Sequence, residues 1–391
     1  MVFPERFSDL PAATWPRLRA LLDVPTKASE TINMTIGEPR HAFPAFVGDI
    51  LAANLAGFGN YPENYGTSAV LDAIAGFLKR RYDLDVPRSQ ILALNGTREG
   101  LYNAAMALCR EEKNGQPVIL TPNPFYQVYA VAALSVGAEP IYVRATAETG
   151  HLPDFEALSA DILDRTAIAY ICSPANPQGA VADTDYWRNL IALAEKHDFI
   201  IFADECYSEI YRDAPPPGAL QIAREMGADP ERVLIFHSLS KRSNLPGLRS
   251  GFCAGGPQSI ARLRVLRAFA GAPLPGPLQA VAAATWSDET HVEESRALYH
   301  RKYQIADDVL GHIKGYQSPQ AGFFLWLPVD DGETAAVKLW QETGVRVLPG
   351  AYLSQQSNGE TPGKTFIRVA MVAPQEEMQR GLTLIRDCLY G

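Results

Sequence analysis

Cysteine is scarce and scattered in this 391-residue chain: Cys109, Cys172, Cys206, Cys253 and Cys388 include no Cys-x-x-Cys pair. An odd, dispersed set argues against a disulfide framework or a structural zinc site, and no metal is expected. No window approaches the roughly 18 consecutive apolar residues of a spanning helix. The opening MVFPERFSDLPAATWPRL has neither a basic stretch nor an apolar core, so no secretory signal is expected. Basic residues are the minority. The 35 Lys+Arg against 44 Asp+Glu give a net charge of −9, which excludes a broad nucleic-acid footprint but not a local phosphate grip. No Gly-x-Gly-x-x-Gly follows an apolar strand, which disfavours a nicotinamide dehydrogenase. What is present, 47% hydrophobic and 20% charged residues, suffices for large cores. The expectation is a cytoplasmic enzyme of two or three units, at about 150 residues each, with neither membrane nor nucleic acid as partner.

From about residue 88, short apolar runs alternate with amphipathic stretches. ILALNGTREGLYNAAMALCR reads as strand, turn and helix, and PVILTPNPFYQVYAVAALSVGAEPIYVRA as strand, helix, strand. AIAYICSPANPQG is a strand entering a loop, FIIFADECY and RVLIFHSLSK are buried strands ending in polar residues, and GFCAGG is a further strand. Continuous β-rich runs between helices imply parallel strands covered on both faces, hence an α/β, mostly parallel, doubly wound sheet. After GAPLPGPLQ one long helix is predicted over about 279–313. The tail reads as strands GFFLWLPV, VRVLPG and FIRVAMV separated by loops and closed by the helix QEEMQRGLTLIRDCL, a smaller α+β domain. The boundaries expected are an N-terminal arm with part of the small domain at 1–44, a large domain at 45–290 and a small domain at 291–391.

In open α/β sheets ligands sit beyond the carboxyl ends of the strands, so the polar residues that end apolar runs are informative. Asp204 ends FIIFAD and is either a loop partner or the counter-charge of a buried cationic ligand atom. Lys241 follows VLIFHSLS; a lysine there is usually solvated, but a desolvated one suits imine chemistry with a carbonyl. Asn176 in SPANPQG is an ordinary Asn-Pro turn or a ligand amide. Gly96, Thr97 and Arg98 open a helix, where backbone N–H groups either merely end a turn or hold a phosphate. Together a phosphate cradle, a carboxylate, an amide and a lysine describe a site for pyridoxal 5′-phosphate. The carboxylate keeps the ring nitrogen protonated, the amide bonds the ring hydroxyl and the lysine is the covalent anchor.

From MTIGEP at residue 34 to FIRVAM at 366 the chain resembles the class I/II aminotransferases, the fold-type I pyridoxal-phosphate enzymes. In SLSKRSNLPGLRSGF, Lys241 matches the cofactor lysine, Arg249 the phosphate arginine and Ser238 a phosphate serine, with Ser240 a weaker match. The resemblance makes Asn176 the Asn-Pro-x-Gly asparagine, near cofactor and substrate, and makes Asp204 and Tyr207 in DECY the ring-nitrogen aspartate and the ring-hydroxyl tyrosine. Tyr126 in NPFY falls where an aromatic ring stacks on the cofactor, with Phe125 as fallback. Tyr65 in YPENYG matches a tyrosine that reaches the neighbouring subunit's phosphate, implying a homodimer with shared sites. Arg368 matches the arginine that clamps the substrate α-carboxylate, a task its paired N–H donors suit, and Gly37 matches the glycine that lets the backbone approach the substrate. Cys206, where an aliphatic residue is commoner, is expected to pack as a small hydrophobe.

The implied reaction is amino-group exchange between an amino acid and a 2-oxo acid. SKRSNLPGLRSGF looks more like the succinyl-diaminopimelate branch than the aspartate or aromatic ones, implying succinyl-diaminopimelate with the 2-oxoglutarate/glutamate pair. GAPLPGP at 271–277 offers no arginine for a side-chain carboxylate, which weakens an aspartate reading. A carbon–sulfur β-lyase could use the same residues, as could an aminotransferase of aspartate, aromatic or alanine specificity. A cofactor-dependent transcription regulator would need a DNA-binding domain, and only a short arm precedes Gly37. GETPGKT at 359–365 has its glycines too close for a phosphate loop, and His291, His300 and His312, placed on one helical stretch, lack metal-ligand spacing.

Overall fold

The computed structural model describes residues 5–8, 10–357 and 359–391; the first four residues of the arm, Asp9 and Asn358 lie outside the described set. The strands, in chain order, are β1 (Ile32–Asn33), β2 (Ile91–Leu94), β3 (Val118–Asn123), β4 (Glu139–Arg144), β5 (Thr166–Cys172) and β6 (Ile200–Asp204). They continue with β7 (Val233–Ser238), β8 (Gly251–Ala254), β9 (Phe324–Pro328), β10 (Val345–Arg346), β11 (Leu348–Pro349) and β12 (Phe366–Ala370). Seven form the main sheet in the order β2-β8-β7-β6-β5-β3-β4. All neighbours run parallel except β8, which is antiparallel to both β2 and β7. Strands β3 and β5 are buried at every residue, as strands covered by helices on both faces must be.

The helix Thr184–His197 illustrates how the covering elements form. Asp183 accepts the Tyr186 N–H and caps its start, and Asp198, in the left-handed region, ends it. Trp187, Leu190, Ile191 and Ala194 fall at helical spacing and enter a core that also holds Phe77 and Trp286. Trp187, Phe77 and Trp286 are fully buried, at a scale of about 1.5–3 kcal/mol per large apolar side chain.

A second core gathers Met34, Tyr299, Phe323, Leu325, Val369 and Leu382 around the antiparallel sheet β11-β12-β9. The arm joins it through β1, which pairs parallel with β10, Ile32 opposite Val345. That pairing sets residues 36–38 against the main sheet's carboxyl edge. Two expectations need correction. The long helix predicted over about 279–313 is two helices, Gly276–Ser287 and Thr290–Leu310, so His312 lies beyond the helix that carries His291 and His300. Asp288 breaks it: its backbone is extended and its carboxylate accepts the His291 N–H at 3.1 Å. The tail's strands are joined not by loops alone but by a helix, Gly332–Thr343, capped by Asp331 and buried through Ala335, Ala336, Leu339 and Trp340. No helix among the described residues is long and apolar enough to cross a membrane.

Candidate functional site

The carboxyl ends of β5, β6 and β7 open into a cavity of about 340 Å³, closed on its other side by the arm and the small sheet. Of the expected site residues, Gly37, Thr97, Arg98, Tyr126, Asn176, Asp204, Tyr207, Ser238, Ser240, Lys241, Arg249 and Arg368 line it. Gly96 borders it through Arg249, as described below. Tyr65 does not line it: the ring is 37% exposed, with the Arg264 guanidinium 5.3 Å from its centroid.

Asp204, the last residue of β6, is 6% exposed and makes no ion pair among the described residues. Its Oδ2 accepts the Tyr129 hydroxyl at 2.7 Å and its Oδ1 the Cys206 N–H at 3.3 Å. Burial raises its pKa above 3.8, opposed by Cys206 and Tyr129. An ionised carboxylate here is an uncompensated buried charge, and a protonated ring nitrogen is the kind of cation that would complete it.

Lys241 follows β7 on the short helix Leu239–Arg242. Its amine donates to the Gly37 carbonyl of the arm and lies 5.3 Å from the Phe323 ring centroid. Burial, with Arg368 and Arg249 adding to it against Cys206 and Glu38, pushes its pKa down to about 8. Arg368, on β12, is 5% exposed. Its Nη1 donates to Asn176 Oδ1 at 3.1 Å and its Nη2 to the Thr35 carbonyl at 2.8 Å, while Nε is buried without a partner. Burial lowers its pKa to about 10, so it stays charged at neutral pH. An orphaned donor on a buried cation suits a carboxylate ligand.

At the other end, Gly96 (φ +82°) precedes the helix Thr97–Leu108. A Cβ there would overlap the Arg249 guanidinium, so only glycine lets the arginine close on the helix start. Arg249 is itself left-handed (φ +57°), a strained position for a non-glycine residue. Ser238 Oγ accepts the Ser240 N–H at 3.1 Å and lies 3.0 Å from the Ser240 hydroxyl. A helix N-terminus, two hydroxyls and a guanidinium without a carboxylate partner make a chemically coherent anion cradle. The donor set therefore fits pyridoxal phosphate at both its charged ends.

Tyr126 and Phe125 both line the cavity, but Phe125 packs on Tyr142 at 5.0 Å, while the Tyr126 hydroxyl accepts Arg98 Nε at 2.7 Å. Tyr207 is buried edge-on to Phe323 and Phe324. Cys206 is more than the packing hydrophobe expected: it lines the cavity, and its sulfur lies 3.2 Å from the Thr97 hydroxyl. Sequence reasoning missed Tyr129, and also Glu38, Trp15 and Phe324 on the cavity wall. For Tyr129 the only signal was a hydroxyl in an otherwise apolar helix, Gln127–Ser135. No group of three His, Cys, Asp or Glu side chains among the described residues could hold a metal.

The family model for aminotransferase class I and II matches residues 29–385. The chain is 30% identical over 400 residues to LL-diaminopimelate aminotransferase of Dehalococcoides mccartyi, covering 99% of each. It is 31% identical over 348 residues to the 4-dedimethylamino-4-oxo-anhydrotetracycline transaminase OxyQ of Streptomyces rimosus, 89% of this chain and 90% of that one. Among solved structures, an aminotransferase from Neisseria meningitidis superimposes with a TM-score of 0.93 at 35% identity, covering 98% of both chains. Aminotransferase AspB of Helicobacter pylori gives 0.89 at 32%, covering 99% of both.

Proposed function

As a member of the class I and II aminotransferase family the chain is a fold-type I, pyridoxal-phosphate-dependent transaminase, and we propose that it moves the α-amino group of a diaminopimelate-type donor to 2-oxoglutarate. The observation that carries the site assignment is the joint presence, in one cavity, of Lys241, an Asp204 without a cation and an Arg368 with an orphaned Nε. The motif SKRSNLPGLRSGF supports N-succinyl-LL-diaminopimelate as donor. Relatives at 28–30% identity bear the name of the unacylated LL-diaminopimelate, which supports the same carbon skeleton without the succinyl group.

In this reading Thr97, the Arg98 N–H, Ser238, Ser240 and Arg249 hold the phosphate, and Asp204 holds the proton on the ring nitrogen. Tyr207 and Asn176 orient the ring hydroxyl, and Tyr126 covers the ring face. The cofactor supplies an aldehyde for reversible exchange with amines and a ring that draws electron density from the substrate α-carbon. Lys241 Nζ, freed by the incoming amine, would take the substrate α-proton and later give it back; a pKa of about 8 suits a group that must both accept and release a proton near neutral pH. Arg368 and Asn176 fix the α-carboxylate, and Gly37, where a Cβ would strike the Phe324 ring, lets the arm's backbone approach the substrate. A homodimer in which Tyr65 completes the neighbouring phosphate site belongs to the same proposal, as does a cytoplasmic location, with which five free cysteines agree.

The test is a donor panel with 2-oxoglutarate, following glutamate: succinyl- and unacylated LL-diaminopimelate, aspartate, phenylalanine and alanine. Turnover of either diaminopimelate form above the others is expected. Preference for aspartate, phenylalanine or alanine overturns the donor assignment, and pyruvate release from cystathionine without a 2-oxo acid replaces transamination by β-elimination.

A further inference from the structure

Cys206 lines the cavity two residues beyond Asp204, half-buried, and has no task in the transaminase reading. Its backbone N–H bonds Asp204 Oδ1 at 3.3 Å, its sulfur lies 3.2 Å from the Thr97 hydroxyl, and its thiol also donates to the Asp204 carboxylate. Burial, with the Asp204 charge adding to it, holds the thiol well above the usual thiol range, so it keeps its proton. A thiol has one proton to give. With that proton on Asp204, the Thr97 hydroxyl is the donor across the 3.2 Å contact and the sulfur its acceptor. The aliphatic residue commoner at this place would fill the space and supply neither bond.

The sulfur therefore stands between the two ends of the cavity. Thr97 opens the helix of the anion cradle, and Asp204 is the buried carboxylate without a cation. Other titratable groups face Asp204: Tyr126 and Tyr129 at the helix Gln127–Ser135, Tyr170 and Cys172 on β5, Tyr207 in the following loop and His237 on β7. Burial keeps the four phenols and the Cys172 thiol protonated, and Tyr129 donates to Asp204 at 2.7 Å. His237 favours the ionised carboxylate, and no variant at 206 alters its charge.

We propose that Cys206 is a positioning residue whose thiol, donating to Asp204 while its sulfur accepts from Thr97, holds the carboxylate ionised and aimed at the cofactor's ring nitrogen and ties it to the phosphate end. This role rests on the transaminase reading.

The experiment compares the wild type with Cys206→Ser, which keeps a donor, and Cys206→Val, which keeps only the bulk. In the cofactor-free protein the infrared S–H band of Cys206 is identified by its loss in Cys206→Val. An ionised acceptor makes the stronger bond and lowers the stretching frequency, so the band should fall as rising pH ionises Asp204 and stay in place in Asp204→Asn. The second readout is calorimetric affinity for pyridoxamine phosphate, which carries the ring nitrogen and the phosphate but forms no imine with Lys241. Losing the thiol bond raises the Asp204 pKa further, so the acid limb of the affinity profile should move up by about 0.4–1 pH unit in Cys206→Val, about 2- to 10-fold weaker binding on that limb. Cys206→Ser should restore it, and inorganic phosphate, which reaches only the cradle, should show no such shift. A band that ignores pH, or an acid limb unmoved in Cys206→Val, overturns the proposal. An equal loss for inorganic phosphate overturns it too, since Cys206 would then act on Thr97 alone. A wild type that bound no pyridoxamine phosphate would overturn the cofactor reading instead, and the infrared band would still decide whether Cys206 serves Asp204.

Discussion

Tyr129→Phe isolates one hydroxyl. The ring stacks on Tyr170 at 4.5 Å and 13°, and phenylalanine preserves that packing. What disappears is the 2.7 Å bond to Asp204 Oδ2, leaving the carboxylate the 3.3 Å Cys206 N–H and the Cys206 thiol. A hydrogen bond to a charged group contributes roughly 1.5–3 kcal/mol, against roughly 0.5–1.5 for a neutral pair. Asp204 lies above its unfolded pKa of 3.8 because it is buried, so its contribution to stability is complete below that value and is lost as pH rises through the folded one. Tyr129 opposes the loss by favouring the ionised form. Removing the hydroxyl therefore costs most where Asp204 is ionised. In urea unfolding of the cofactor-free protein, the variant should lose about 1.5–3 kcal/mol once Asp204 is charged, and the gap should narrow as pH falls toward 4. Because the ionised carboxylate is also the proposed partner of the ring nitrogen, cofactor affinity by absorbance titration should fall about 10- to 100-fold. A loss independent of pH, or wild-type cofactor affinity, would refute the idea that this tyrosine keeps Asp204 ionised and in place.

The lowered Lys241 pKa gives a second expectation. Since its folded value of about 8 lies below the unfolded 10.5, the amine is neutral over a range where a solvated lysine is charged, and aldehyde capture by the cofactor-free protein should climb with pH and level off above about 8. A plateau reached only near 10.5 would show that the cavity does not desolvate this amine. Arg368→Gln removes a buried cation from the proposed carboxylate clamp and should lower kcat/KM for the amino donor about 10²–10³-fold, with cofactor affinity much less affected. Steady-state kinetics checks this; a loss confined to cofactor binding would reassign the residue.

How much of this was legible beforehand depended on where each residue's role is decided. Asp204 and Lys241 stood out because an apolar strand ending in a charge is a one-dimensional signal, and the parallel sheet carries such ends to one edge. Gly96 stood out by composition, although its reason, the approach of Arg249, lies over 150 residues away. Tyr129 was invisible because its helix is apolar all round, and its hydroxyl finds Asp204 only after Tyr170 has oriented the ring. The break at Asp288 was hidden because no glycine or proline marks it, and an aspartate is a tolerable helix residue until its carboxylate caps the next turn.

Two of the site residues that the sequence singled out share a physical property: they are left incomplete. Folding disfavours a buried carboxylate without a cation or a buried guanidinium nitrogen without an acceptor, and most of this chain obeys that rule. Lys113, for example, bonds the carbonyls of Thr166, His197 and Asp198. Asp204, which has no cation, and Arg368 Nε, which has no acceptor, depart from it within one cavity. Their incompleteness has opposite sign, so the proposed assembly, cationic at the ring and anionic at the substrate α-carboxylate, would satisfy both without rearranging the chain. Lys241 differs from both: among the described residues its hydrogen bond is to a carbonyl of the arm, and an amine with a pKa of about 8 can shed its proton near neutral pH and leave that contact without leaving a buried charge behind.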